Sequence, residues 1–215
     1  MQLAIVIPTY NRSDILERNL ANLREFALKD LEHRFFIGNA GNDDTESKVM
    51  APDVEILNHT GQGLGQNLNS ILRVASKYSP YVLQMDDDHI LLQRMDLTSH
   101  LQYLEEQSAV AWIRLMEVAA HNYTADLRGR YWEVRWDSPE LYIPSMRPHL
   151  KHIHFHEFFG LYPEGLKLGQ TEEGFCHVCR EVALKSGGPK VAVPLNVLTE
   201  SSWSHIGDSW QMKGF

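Results

Sequence analysis

The chain of 215 residues carries 28 acidic and 20 basic side chains, a formal charge of −8, and 43% of its residues are hydrophobic. That composition supplies a sizeable core for one large domain or two small ones, and its negative balance argues against nucleic-acid binding over a general basic surface. No apolar run approaches the ~20 residues that a membrane-spanning helix needs.

The opening residues, MQLAIVIPTYNR, have an apolar stretch but no basic leader and no small-residue cleavage site, so residues 3–8 read as a first strand and not as a signal peptide. Leu16, Leu20, Leu23 and Ala27 then recur at helical spacing, and Asp14 with Glu17 is placed to form a capping box. Residues 33–38 read as a second strand, followed by the polar turn NAGNDDT, and residues 54–57 as a third. Leu64, Leu68, Ile71, Leu72 and Ala75 give residues 64–78 the apolar face of an amphipathic helix. A fourth strand over 80–85 runs straight into Asp86, Asp87 and Asp88.

The second half is less regular. A helix is expected over 97–107 and strands over 109–118 and 130–136. Residues 149–160 are aromatic and rich in histidine; as a strand they would put His152, His154 and His156 on one face, which raises the possibility of a zinc site. The milder reading is an acceptor-side wall, with His156 and Glu157 as contacts. Residues 171–188 read as a helix with Phe175, Val178, Val182 and Ala183 inward and Gly187 at its end. Its Cys176 and Cys179 form a C-x-x-C pair with no second pair to complete a zinc site, so a structural role outweighs metal or redox chemistry. Two cysteines make no disulfide framework, and a reducing cytoplasm is the default expectation.

Alternating strands and helices with short connections imply right-handed crossovers and a mainly parallel sheet. In such sheets ligands sit beyond the carboxyl ends of the strands. The loops at 9–11, 39–43 and 86–88 all lie at such ends. The acidic triplet needs a reason to be there, because adjacent carboxylates repel and each costs several kcal/mol if buried unpaired. A solvated loop is one answer and a bound cation is another. The expected architecture is one α/β domain over 1–215. It has a Rossmann-like nucleotide-binding half over about 1–95 and a smaller mixed acceptor-side half over about 96–215.

Taken in order, AIVIPTYNR, NHTGQGLGQNLNSIL, YVLQMDDD, TEEGFCHVCR and WSHIGDS resemble motifs of family 2 glycosyltransferases with the GT-A fold. The resemblance covers residues 1–90 and two islands near 172–180 and 203–209. It implies transfer of a sugar from a nucleoside diphosphate sugar to a hydroxyl acceptor, with inversion, assisted by Mn2+ or Mg2+. It makes Pro8, Thr9, Tyr10, Asn11, Arg12, Asn39, Asn58, Gly61 or Gly63, Asn67, Asp86, Asp87 and Arg180 contacts of the nucleotide sugar. The triplet resembles the D-x-D element, with Asp86 and Asp88 as metal ligands. His205, Gly207 and Ser209 resemble a late His-x-Gly-x-Ser, with His205 as a metal or diphosphate contact. Glu173, or failing it Glu172, would be the base that takes the proton of the attacking hydroxyl, with Arg180 orienting the acidic pair or a phosphate. The resemblance breaks after the second strand: Asn39 and Ala40 stand where the family has a pair of acids, so the usual carboxylate contact to the base is lost unless Asp43 moves in.

Several of these residues have plainer explanations. Glu172 and Glu173 suit the start of any helix. Asn67 can pack or cap one, and His205 lies between Trp203 and Trp210 as a packing neighbour would. Two other functions compete. A nucleotidyltransferase usually carries a glycine-rich basic loop after its first strand, where this chain has PTYNRSD. A sugar-nucleotide-binding protein without catalysis would tolerate the missing acids. The acceptor is open among a saccharide, a lipid-linked sugar, a protein side chain and a modified nucleic-acid base. For the last of these, Arg128, Arg130, Arg135, Arg147 and Lys151 offer a local basic groove.

Overall fold

The structure is a computed structural model that describes residues 1–59, 63–116, 123–167, 169–198 and 202–206. Its elements follow the chain as β1 (Gln2–Thr9), α1 (Ser13–Phe26), β2 (Glu32–Asn39), α2 (Thr45–Val49), β3 (Val54–Asn58), α3 (Leu64–Tyr78), β4 (Tyr81–Gln84) and β5 (His89–Leu91). Then come α4 (Leu97–Glu106), β6 (Val110–Arg114), β7 (Ala125–Arg128), β8 (Tyr131–Val134), β9 (His149–His152), α5 (His154–Phe159), α6 (Gln170–Ser186), β10 (Lys190–Pro194), a 3-10 turn at Leu195–Leu198 and β11 (Trp203–His205).

Nine strands form one sheet in the order β3-β2-β1-β4-β9-β6-β10-β8-β7. The first four are parallel to one another, as the strand–helix alternation requires. Beyond β4 the sheet turns mixed, because β9 lies antiparallel between β4 and β6 and β8 lies antiparallel to β10. The expected α/β architecture is therefore present, and one sheet runs through both halves of the chain.

β1 reads as a continuous apolar run because both faces of the sheet are covered. Leu3, Ile5 and Ile7 join Leu16, Leu20 and Leu23 of α1 on one face. Ala4 and Val6 join Leu68, Ile71, Leu72 and Ala75 of α3, together with Phe175, Cys179 and Ala183 of α6, on the other. Each fully buried leucine contributes roughly 1.5–3 kcal/mol.

Four local expectations are corrected. Asp14 and Glu17 form no capping box: α1 starts at Ser13, and its cap residue Arg12 makes no side-chain capping bond. Val178 faces outward at 44% exposure, while Cys176 and Cys179 share the buried face of α6 with Phe175. The histidine-rich segment is not one strand, since β9 ends at His152 and a helix begins at His154. The strand expected over 109–118 ends at Arg114, and residues 117 and 118 lie outside the described residues.

Candidate active site at the carboxyl edge of the sheet

Thr9, Asn39 and Asn58 stand in register at the ends of β1, β2 and β3. The side chain of Asn39 is used within the protein: its Oδ1 accepts from Gly41 N at 3.0 Å and its Nδ2 donates to Asn58 Oδ1 at 3.3 Å. Asn11 takes up a left-handed backbone at φ 52° and accepts from Asn42 N at 2.8 Å, tying the first loop to the second. Asp43 is committed elsewhere. Its Oδ2 accepts from Ser13 N at 3.0 Å and its Oδ1 accepts from the hydroxyl of Thr45. That carboxylate supplies the cap for α1 that Asp14 was expected to provide. Asn67 is buried and donates to Gly38 O at 2.8 Å, so it braces α3 against β2. Pro8 is buried in β1, Tyr10 is 47% exposed, and Gly63 precedes the first turn of α3.

The triplet follows β4 directly, and its three members differ. Asp87 is buried, accepts from Thr9 Oγ1 at 2.6 Å and lies 3.3 Å from Arg12 Nη1. Burial lifts its pKa to about 6 against the pull of Arg12 and Thr9. Asp88 is also buried; its Oδ2 takes Arg12 Nη1 at 2.5 Å and His205 Nε2 at 3.2 Å. Asp86 is half-buried, and no hydrogen bond or ion pair reaches its carboxylate among the described residues. Enclosure, then repulsion from Asp88, Asp87 and Glu172, pushes it up to about 8, with Arg12 opposing.

His205 reaches the triplet through a two-stranded antiparallel ribbon. β11 pairs with β5 so that His205 stands opposite His89, and Ile206 N donates to Asp88 O at 2.8 Å. Two asparagines of α1 fasten this ribbon: Asn19 donates to His89 O, and Asn22 exchanges two hydrogen bonds with the backbone of Leu91. As a result one donor atom from each of Asp88, His89 and His205 lies within 4.8 Å of the others. Two of the atoms facing each other there are orphaned. Asp88 Oδ1 and His89 Nδ1 are buried, have no hydrogen-bond partner, and sit 3.5 Å apart. Burial pushes His89 below the ordinary histidine range, which keeps its ring neutral and able to ligate. One carboxylate and two imidazoles around such a gap fit a divalent cation.

The acceptor side is supplied by α6 and the loop before β9. Glu172 Oε1 accepts from Ser145 Oγ at 3.0 Å and from Met146 N at 2.8 Å. Its charge is near enough to Asp86 to raise that group. Glu173, on the first turn of the same helix, is exposed and only 3.9 Å from His177 Nε2. Buried Arg114 supports the loop by donating to Tyr142 O at 2.5 Å.

A family model for Glycosyl transferase family 2 matches residues 4–168. The chain belongs to glycosyl transferase family 2. Among solved structures, a mannosyltransferase from Pyrobaculum calidifontis in complex with GDP-Man and Mn2+ is similar at a TM-score of 0.63 and 18% identity, over 91% of this chain and 55% of that one. TarS 1-349 of S. aureus in complex with UDP-GlcNAc gives 0.67 and 16%, over 98% and 62%. A mutant Drosophila β1,4-galactosyltransferase 7 complexed with manganese, UDP-Gal and xylobiose gives 0.56 and 15%, over 100% and 76%. At these identities the likeness is one of fold, and this chain spans little more than half of the first two. No curated protein sequence matches it.

Within the family-2 chain, several expected site residues are not gathered at the triplet. Arg180 is half-buried further along α6, where its charge acts on Asp137. Gly61, Gly207, Ser209 and Trp210 lie outside the described residues. His156 is buried against Tyr162, Phe175 and Trp112, with its Nδ1 donating to Gly160 O, so it is no acceptor contact and no partner of His152 in a metal site. Glu157 is exposed on α5. The five basic residues do not make one groove. Lys151 is fully buried on Gln84 and Tyr162, and Arg135 is paired with Asp137. Cys176 and Cys179 are free, buried thiols whose pKa burial pushes up, the opposite of a reactive pair. One residue that sequence reasoning passed over is His89. It follows the triplet immediately, and that adjacency was the available signal.

Proposed function

We propose that the chain is a metal-dependent glycosyltransferase that moves a sugar from a nucleoside diphosphate sugar to a hydroxyl acceptor with inversion. The observation that carries the reading is the cluster of Asp88, His89 and His205 at the carboxyl edge of a family-2 sheet. Asp88, His205 and His89 would hold the cation, and Asp86 and Asp87 line the same edge toward the donor. A divalent ion there supplies Lewis-acid stabilisation of the departing diphosphate. Two imidazoles in the donor set favour Mn2+ over Mg2+, which prefers oxygen ligands. The Mn2+ complexes of two fold relatives, with GDP-Man and with UDP-Gal, support the same choice.

Glu173 is the candidate base, because its carboxylate is exposed and its one ion-pair contact among the described residues is the loose 3.9 Å approach of His177 Nε2. Glu172 is the candidate positioning residue, since it accepts from the Ser145 hydroxyl and the Met146 backbone N–H. In the reaction the base takes the hydroxyl proton, the acceptor oxygen bonds to the anomeric carbon, and the bond to the diphosphate breaks with its electron pair leaving on the phosphate. Attack opposite the leaving group inverts the anomeric centre. Thr9, Asn58 and the exposed Tyr10 edge the strand ends where the nucleotide would lie.

Incubation with GDP-Man, UDP-GlcNAc and UDP-Gal, with and without Mn2+, tests the proposal. Slow Mn2+-dependent release of the nucleoside diphosphate from one of them is expected. Pyrophosphate release would instead indicate nucleotidyl transfer. Binding without turnover of any donor would leave only the sugar-nucleotide-binding function.

A further inference from the structure

Arg147 stands at the same sheet edge as the triplet: β9 pairs antiparallel with β4, Gln84 lies opposite His149, and Arg147 precedes His149 by two residues as Asp86 follows Gln84 by two. The arginine is half-buried, its Nη1 is buried without a hydrogen-bond partner, and no carboxylate pairs with it among the described residues. A buried guanidinium nitrogen is ordinarily hydrogen-bonded, so an unpartnered one needs a reason. Three of the four acids at this edge are engaged elsewhere, and Asp86 makes no ion pair with Arg147 among the described residues. Asp88 Oδ2 is held by Arg12 and His205, Asp87 by Arg12 and Thr9, and Glu172 by Ser145 and Met146.

The loop that carries Arg147 is braced along its length. Arg114 donates to Tyr142 O at 2.5 Å and to Ile143 O at 3.4 Å, and Glu172 holds Ser145 and Met146. The ring of His149 reaches Arg147 O at 2.6 Å; a carbonyl only accepts, so Nδ1 carries the proton. The guanidinium is thus delivered by a fixed backbone, and its charge acts on His89, a member of the cation cluster.

We propose that Arg147 binds the diphosphate of the donor sugar nucleotide and stabilises it as the leaving group, an inference that rests on the glycosyltransferase reading above. A guanidinium fork matches phosphate oxygens in geometry and charge. A diphosphate held at Asp88, His89 and His205 through a cation would lie at the sheet edge that Arg147 shares. Arg147 therefore adds a second positive charge as the bond to the sugar breaks, from a loop on the acceptor side.

Calorimetric titration of GDP and UDP in the presence of Mn2+ tests this, with Arg147→Gln and Arg147→Lys beside the parent chain and Mn2+ binding alone followed by electron paramagnetic resonance. Arg147→Gln should weaken the better-bound nucleotide by about tenfold or more, and Arg147→Lys should recover part of that loss. Affinity for Mn2+ alone should stay the same or tighten, because a like charge has been removed. Unchanged nucleotide binding in Arg147→Gln overturns the inference. So does a parallel loss of Mn2+ and nucleotide, which would mark a purely structural residue. Normal nucleotide binding combined with impaired transfer to an anionic acceptor alone also overturns it, by reassigning the arginine to the acceptor. If the parent chain binds neither nucleotide with Mn2+, the glycosyltransferase reading itself falls.

Discussion

Removing His89 tests the cation cluster most directly. In this chain Asp88 Oδ1 and His89 Nδ1 face each other at 3.5 Å without partners, and His205 Nε2 lies 3.2 Å from the other oxygen of Asp88. An ion bound there stabilises only the folded state, so Mn2+ at a hundred times its dissociation constant adds about 2.7 kcal/mol. At about 2–4 °C per kcal/mol for a domain of this size, the melting temperature should rise by about 5–11 °C. His89→Ala deletes one of three protein donors, and a tenfold weaker site at the same Mn2+ concentration leaves about 1.4 kcal/mol, or about 3–6 °C. Asp88→Asn removes the only charged donor and should abolish the shift. The assay is differential scanning fluorimetry with and without Mn2+ in each variant, so the intrinsic cost of deleting a buried ring cancels. Mg2+ should give a smaller shift than Mn2+. A parent chain that ignores Mn2+, or a His89→Ala chain that responds as fully as the parent, would refute the assignment of this cluster as a cation site.

Three further outcomes follow from the geometry. Gly38→Ala would place a Cβ 2.0 Å from Asn67 Oδ1 and 2.3 Å from Ile71 Cδ1, forcing α3 off β2. A urea titration should show a loss of about 2–4 kcal/mol from overpacking and the broken Asn67–Gly38 bond, and no loss would mean α3 is not pinned there. Glu173→Gln should cut transfer by about 10²–10⁴ at unchanged nucleotide affinity, whereas Glu172→Gln should chiefly lower thermal stability; the reverse pattern would make Glu172 the base. Burial holds His100 at about 4, Asp96 raising and Arg130 lowering it. The unfolded ring binds its proton near pH 6.5, so stability is full above 6.5 and falls by at most about 3 kcal/mol as pH drops through 6.5 toward 4. His100→Asn should flatten the melting temperature across that window, with a residual slope from His89, His149, His152 and His156, which burial shifts the same way.

The parallel half of the fold is legible because its determinants are local. β1 reads as a strand from its own apolar run, α3 from its own five apolar positions, and the triplet's place at a strand end follows from the β4 pattern beside it. β9 is a different case. It is a late segment inserted between β4 and β6, and nothing in HLKH announces two strands that lie far away in sequence. The histidine alternation through 152, 154 and 156 misled for the same reason: a helix begins within it. Val178 was placed inward on hydrophobicity, but two cysteines at i and i+3 occupy that face because small buried thiols fit the space against the sheet. Site residues divide likewise. His89 could be read from its neighbour Asp88. The capping role of Asp43 and the isolation of Arg147 could not, because each depends on contacts between loops that only the tertiary fold brings together.

The three carboxylates illustrate how the cost of crowding is met unequally. Asp87 is satisfied by a neutral hydroxyl and shares Arg12 Nη1, and Asp88 takes the same nitrogen at the shorter distance together with a histidine. Asp86 has no such partner, and its pKa of about 8 means that near neutrality it meets repulsion by holding a proton. Arg12 and one proton thus carry much of the compensation that a doubly charged ion would otherwise supply alone. An ion that used Oδ2 of Asp88 would compete with Arg12 for that oxygen. The orphaned Oδ1 of Asp88, turned toward His89 and away from Arg12, is the atom that lets a cation bind without first breaking that pair. That is why the second imidazole matters more at this edge than its position one residue beyond an acidic run would suggest.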